Sequence, residues 1–420
     1  MSKNFVNFHI LMSHSPSCLN RDDMGMQKTA VFGGTRRVRI SSQSLKQAMR
    51  SSSYYKANFP EKSIRTRDLG LLSEKMYEEL NNQGHGIEKK WVEKAIQVFS
   101  SKSVSSEEEN EDEIVADDTQ EEMPKSDTKK VAVAPWSVSE FKFICDKIIQ
   151  IYQTDLTEKE SEALQKALDK ENARKPSKKK PRKSADEVKD EFMLKKIKNE
   201  LEASKTALMT ACSRATDIAL SGRMATSGLM TSIDAALAVA HVITTHTVDG
   251  DLDWFTAVDD LTQEAGETGS AHLDTQEFSA GVFYRYASLN LVQLQENLGE
   301  TSREKALEIA AHTLHMLATV IPEAKRNSTA ADNPADFVCV ALSDQPISLA
   351  NAFEEPVKGK SGFLKPSIEQ FINYKERVYQ GYELDDKVAF FSLHDTGALN
   401  GKACPSLSKL ENWLKQDGEA

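Results

Sequence analysis

The 420-residue sequence has no apolar run near the 18 consecutive residues that a membrane-spanning helix needs. Cysteine is sparse: Cys18, Cys145, Cys212, Cys339 and Cys404 are scattered, odd in number and without a C-x-x-C spacing. That excludes a disulfide framework and argues against a structural zinc site. Nor is there a G-x-S-x-G, an H-E-x-x-H, a phosphate-binding loop or a dinucleotide fingerprint, so the common catalytic and nucleotide motifs are missing. The opening MSKNFVNFHI does not read as a signal peptide. The expectation is a cytoplasmic protein with no cofactor and no metal.

Basic residues are lacking in one place. Between Ser103 and Pro124 there are ten acidic residues and no lysine or arginine, and without that run the net charge of −11 becomes −1. The overall acidity therefore does not exclude a nucleic-acid partner, because a phosphate feels the local field. Arg21 to Arg50 carries Arg21, Lys28, Arg36, Arg37, Arg39, Lys46 and Arg50 against only Asp22 and Asp23, a local charge of +5.

The pattern of elements is α+β. Phe5 to Met12 alternates imperfectly with period two and predicts a strand; Arg36 to Ile40 predicts another. Ser41 or Ser42 then caps a helix to about Arg50. Ser73 is a candidate cap for a helix to Leu80, and helices are expected over 87–99 and 136–153. The segment Arg174 to Lys183 is basic and broken by two prolines, so it reads as a loop between charged helices. After Ala203 a helix is expected over 204–220, strands over 238–248, 282–291, 337–342 and 388–393, and helices over 303–320, 367–382 and 407–416. Residues 250–281 read as a long excursion with little hydrophobic period.

Several constellations fit RNA. Gln43, Lys46, Gln47 and Arg50 recur at i, i+3, i+4 and i+7, a helix face of cations and amides that suits phosphates and 2′-hydroxyls, or an ordinary solvated face. Gly33-Gly34 reads as a plain turn before a phosphate cradle. Arg223 is the one cation of a flexible SGRMATSGLM run, and Met224 beside it is either a wedge against a base or core. Trp254 and Phe255 either stack on bases or anchor their loop. His241 and His246 fall on opposite sides of a strand, and His312 and His315 lack an acidic or cysteine partner for a metal. Asp22-Asp23 either neutralises Arg21 or caps a turn, or else binds a metal ion or orients a 2′-hydroxyl for attack; a nuclease is thus the rival to a binding protein.

The run HILMSHSPSCLNRDDMGMQKTAVFGGTRRVRISSQSLKQAMR closely resembles the N-terminus of the CasC family, the backbone subunits of type I-E CRISPR surveillance complexes (Cascade). IALSGRMATSG, DWFTAVDDL, GSAHLDTQEFSAGVFYRYA, ALEIAAHTLHMLAT and NPADFV follow in the family's order, with a weaker likeness at VAPWSVSEFKFICDKI. The likeness covers residues 1–56 and 203–420. It implies an RRM-like (ferredoxin-like) palm in three parts, 1–59, 204–249 and 282–420, with helical fingers inserted at 60–203 and a thumb β-hairpin at 250–281. It implies a non-catalytic protein that assembles with copies of itself, in a hexameric-type filament, along the spacer of a CRISPR RNA. The other partners it implies are the target DNA strand and the subunits CasA, CasB, CasD and CasE. By position in the matching runs, Arg21, Lys28, Gln43, Lys46 and Arg50 resemble the palm residues that grip RNA, with Arg223 beside them. Met224 resembles the residue inserted among bases, and Trp254, Phe255 and Thr256 the thumb tip. The charged stretches 101–132 and 155–200 depart from the family pattern; in the second, Lys178, Lys179 and Lys180 are candidate electrostatic contacts to target DNA.

Overall fold

The computed structural model describes residues 3–419 except 60, 67, 101–133, 175–181, 213–214, 225–231, 259–269, 325 and 398. Its strands are β1 (Phe5–Ser17), β2 (Thr29–Phe32), β3 (Thr35–Ile40), β4 (Ile64–Thr66), β5 (Ala134–Trp136), β6 (Leu237–Val239), β7 (Val242–Thr244), β8 (Asp251–Val258), β9 (Ser270–Asn290), β10 (Phe337–Ser343), β11 (Lys387–Ser392) and β12 (Lys402–Ala403). The helices that frame them before β6 are α1 (Ser42–Ser51), α2 (Ser53–Asn58), α3 (Leu69–Asn82), α4 (Lys89–Ser100), α5 (Val138–Gln153), α6 (Glu158–Ala173), α7 (Ala185–Ala203), α8 (Lys205–Cys212) and α9 (Thr216–Ser221). After β9 come α10 (Leu291–Asn297), α11 (Arg303–Thr319), α12 (Leu364–Gly381) and α13 (Leu407–Lys415).

One sheet runs in the order β12-β11-β10-β1-β9-β7-β3-β2, and β6 and β8 also pair with β9. β1 lies between β10 and β9, antiparallel to both. Being central, it is covered on both faces, which explains its imperfect alternation: Asn7 and His9 are as buried as Val6, Phe8 and Ile10. Val6, Phe8, Ile10 and Met12 face a core closed by α1, α2, α10, α11 and α13. Leu11 faces the other layer, with Tyr284 and Phe337 against Ile368 and Phe371 of α12. Asn7 and His9 are satisfied in place, Asn7 by the Tyr286 hydroxyl at 3.0 Å and His9 by the Tyr284 hydroxyl at 2.8 Å.

A second core, separate from the sheet's, gathers Leu72, Met76, Val92, Phe141, Ile144, Ile148, Ile197 and their neighbours from α3, α4, α5, α7 and α8. Buried polar groups tie this helical unit to the sheet. Glu61 accepts from Ser137 Oγ at 2.6 Å and Val138 N at 2.7 Å, holding the N-terminus of α5. Glu140, one turn on, forms a two-pronged ion pair with Arg223 at 2.6 and 2.9 Å, both side chains almost fully buried. Burial works against the Arg223 charge, and the hydrogen bond and charge of Glu140 together outweigh it, so the guanidinium pKa is raised. Asp217 of α9 accepts from the Ser63 amide at 3.1 Å and its hydroxyl at 2.5 Å.

Four expectations need correction. The helix expected over 204–220 is two helices, α8 and α9, and the strand expected over 238–248 is the short pair β6 and β7, both on β9. Residues 250–281 are not featureless: β8 pairs with β9 from Asp251↔Phe278 onward, and β9 begins at Ser270, not 282, so one strand crosses the boundary drawn at 281. On the strand opposite its outer half, Leu252 and Trp254 are exposed, so burial imposes no period there. Ser73 is buried inside α3, whose cap is Asp68, accepting from Gly70 N at 2.8 Å and Leu71 N at 3.0 Å.

Removing one member of the buried pair should be costly. Glu140→Ala or Arg223→Ala is expected to destabilise by about 3–5 kcal/mol in urea unfolding, because the partner stays buried and uncompensated, while the apolar double replacement recovers most of the loss. Burial, with the Lys375 charge second, holds His9 near a pKa of about 3, and burial, with Arg285 second, does the same for His14. Both therefore fold neutral and take up a proton on unfolding below about 6.5. Stability should fall as pH drops from 6.5 toward 3. His14→Gln should flatten that fall by about 1.4 kcal/mol per pH unit, measured as the difference in unfolding free energy between the two proteins.

Candidate nucleic-acid interface

The basic N-terminal segment folds around α1, whose cap Ser41 accepts from Ser44 N and which buries Leu45 and Met49. Gln43 and Gln47 are exposed. Lys46 and Arg50 are only half-exposed: Lys46 Nζ donates to the Leu237 carbonyl at 3.1 Å, and Arg50 donates to the Ser63 carbonyl at 3.1 Å and lies 3.9 Å from Asp217. The four-residue face is thus half anchored. Each cation spends one donor on the protein and has others left. Burial, with the Arg65 charge second, lowers both their pKa values.

Further cations extend the row at both ends. At the start of α1 the Ser42 amide donates to His241 Nδ1 at 3.1 Å, and burial, then the charges of Arg39 and Lys28, lower the His241 pKa. At the far end Arg65 and Lys62 are exposed beside Arg50, with Asp217 as counter-charge 4.0 Å from Arg65. Four segments therefore contribute to one positive strip: the loop ending at Lys28, β3, α1 and residues 62–65. Arg65, Lys62 and His241 were not singled out from the sequence. The signal for the first two was the KSIRTR spacing after Pro60; His241 had none, since only the pairing of β7 with β3 at Ile40↔Val242 brings it to α1.

Arg37 and Arg223, counted with the surface cations in the sequence, are not surface residues. Arg37 is fully buried, donating to Thr35 Oγ1 at 2.9 Å, the Thr244 carbonyl at 3.1 Å and the Phe353 carbonyl at 3.0 Å. The planar fork fits three acceptors that flank the turn at Gly33-Gly34. Both glycines have positive φ, and a Cβ on Gly33 would stand 1.7 Å from the Glu354 carbonyl oxygen. That pair is a turn seated on the protein. Arg223, committed to Glu140, presents no charge to solvent, which corrects its reading as an RNA-facing cation. Its backbone exchanges hydrogen bonds with Ile233 at 2.8 and 2.9 Å and so fixes the root from which Met224, 83% exposed, projects.

Arg21 is exposed on a tight loop. The Asp22 carboxylate accepts from Met24 N at 3.0 Å and Met26 N at 2.8 Å, which makes it a turn cap. No group of histidine, cysteine or acidic side chains suited to a metal occurs among the described residues. Trp254, on β8 opposite Thr275, is 67% exposed, and Phe255 and Thr256 pair through their backbones with Asp274 and Leu273. Lys178, Lys179 and Lys180 lie outside the described residues.

The sequence pattern of the CT1975-like protein family matches residues 6–415. A solved chain titled "CRISPR RNA-guided surveillance complex, pre-nicking" is 27% identical, with a TM-score of 0.69 over 99% of this chain and 100% of its own. A second, titled "CRISPR RNA-guided surveillance complex", shares the fold at 22% identity and a TM-score of 0.55, over 98% and 99%. No curated protein sequence matches significantly. With the match running nearly end to end, the chain belongs to the CT1975-like family, the CasC-type, non-catalytic backbone subunits of type I-E CRISPR RNA-guided surveillance complexes.

Proposed function

We propose that this subunit polymerises along the spacer of a CRISPR RNA, with the positive strip around α1 holding the RNA backbone and the β8–β9 hairpin crossing it. In this reading the sheet is a ferredoxin-like palm, supported by the order β10-β1-β9-β7 with helices in the connections from β1 to β7 and from β9 to β10. The helical unit between β4 and α8 is the fingers and the hairpin the thumb. The observation that carries the proposal is the pairing of two features: a strip of cations drawn from four segments, and a hairpin, built on the same sheet as β3, that keeps a tryptophan in solvent.

Arg21, Lys28 and Gln43 contact phosphates and 2′-hydroxyls, with Lys46 and Arg50 using their remaining donors. Met224, and Trp254, Phe255 and Thr256 on the hairpin, unstack bases at intervals. Sequence is then read by pairing between guide and target DNA, while the protein reads backbone and shape. Copies of itself and the other Cascade subunits CasA, CasB, CasD and CasE complete the assembly in the cytoplasm, and Lys178, Lys179 and Lys180 contact target DNA. Exposed Met24 (86%), Met224 (83%) and Trp254 (67%) support an assembled state, since each leaves apolar surface in water in the single chain.

The test is to co-express the protein with a CRISPR RNA, determine the mass of the purified particle and map nuclease protection. A large particle with evenly spaced exposed nucleotides is expected; a monomer or featureless protection rejects the reading. Lys28→Ala should lower affinity for single-stranded RNA and reduce the slope of log affinity against log salt by about 0.7, one phosphate contact. Trp254→Ala should instead leave that slope unchanged and cost about 1–3 kcal/mol per base it stacks on.

A further inference from the structure

The exposed hairpin and the basic loop are joined by one buried carboxylate. Glu277 lies on β9, paired with Leu252 at the root of the hairpin, and is 5% exposed. Its Oε2 accepts from the Gln27 amide at 2.9 Å, and Gln27 Nε2 donates to Ser279 Oγ, two residues along the same strand, at 2.7 Å. The Arg36 guanidinium, on β3, stands 4.0 Å from Glu277 Oε1. Gly250, the residue before β8, packs so closely that a Cβ there would fall 2.0 Å from the same oxygen. Three segments thus meet on Glu277: the loop that ends at Lys28, the β2–β3 hairpin and both strands at the thumb root. Among the described residues, β8 and β9 pair only with each other beyond this point, since β1 leaves β9 at Ser17↔Ser279.

We propose that Glu277 is a positioning residue that transmits the placement of the basic loop to the hairpin, so that the loop's grip on RNA fixes the angle at which the hairpin crosses it. This rests on the function proposed above. The reason is geometric. The loop's turn, closed by Asp22, is stiff between Arg21 and Gln27, which form a backbone bridge, and Lys28 N donates to the Asn20 carbonyl at 2.9 Å. A load on Arg21 or Lys28 therefore reaches Gln27 with little slack, and Gln27 hands it to β9 through Glu277 and Ser279. Without the carboxylate the loop and hairpin root keep their separate folds and lose their mutual angle.

The experiment compares the parent with Glu277→Ala, Glu277→Gln and Gly250→Ala. Gly250→Ala pushes the carboxylate aside without removing it, which guards against a variant that fails simply by misfolding. Amide exchange in the RNA-free protein should speed up by about tenfold or more in both β8 and residues 21–28 for Glu277→Ala and Gly250→Ala, and remain near parental in Glu277→Gln, which keeps the acceptor for Gln27. In the RNA-bound particle the two disruptive variants should bind RNA within about threefold of the parent, yet lose the even spacing of exposed nucleotides. Unchanged exchange in either segment, or a parental footprint in Glu277→Ala, overturns the proposal. A parent that shows no spaced footprint rejects the thumb reading, and the exchange arm still decides the coupling.

Discussion

The fold depends on carboxylates that are buried at the seam between its two cores. Glu61, Glu140 and Asp217 each end in donors supplied from across that seam: the first turn of α5, the Arg223 guanidinium, and Ser63 with Arg50 nearby. A helical unit with its own apolar core has no hydrophobic reason to hold one orientation against a sheet. Charge-assisted bonds in a low-dielectric seam do supply one, since each is satisfied in a single geometry and expensive in any other. Whatever the helical unit touches is thereby placed relative to the sheet.

The same economy governs the cations. Arg37, Arg223 and Arg285 are buried, and none of the three faces solvent: Arg37 is spent on carbonyls and a threonine hydroxyl, Arg223 on Glu140, and Arg285 on the carbonyls of Leu317 and Val320 at the end of α11. The exposed strip is what remains after these structural uses, and its members come from segments far apart in the chain. Asp217 lies beneath it, close enough to Arg50 and Arg65 to keep their mutual repulsion from opening the seam, and too deeply buried to meet a phosphate.

The sequence made the central strand, α1 and the alternation of strands and helices after residue 282 legible, because each has a core on one or both sides and a core imposes a period. The hairpin was hidden from periodicity for the opposite reason: Leu252 and Trp254 stand in solvent, so nothing selects for alternation there, and only the family resemblance pointed to it. Arg37 and Arg223 were misread because composition counts a buried guanidinium and a solvated one alike. For Asp22 the sequence left a turn cap and a reactive role both open, and its bonds from the Met24 and Met26 amides show the cap. His241 was not legible as a neighbour of Lys28, since that proximity is made by the pairing of β7 with β3 and has no trace in local sequence.

β9 is at once the partner of β1 in the middle of the sheet and one arm of the hairpin, 21 residues without interruption. At about 3.3 Å per residue such a strand is a lever roughly 70 Å long, with its fulcrum in the best-packed part of the molecule. Its outer arm inherits the registry of the core: a slip of one residue against β1 would carry Phe283 out of its own layer into the opposite one and in the same motion turn over the face on which Trp254's partner Thr275 lies. The hydrophobic core thereby acts as the reading frame for the arm that carries Trp254. A chain that folds at all has Trp254 in the right phase, and identical copies laid side by side inherit the same phase with no further adjustment.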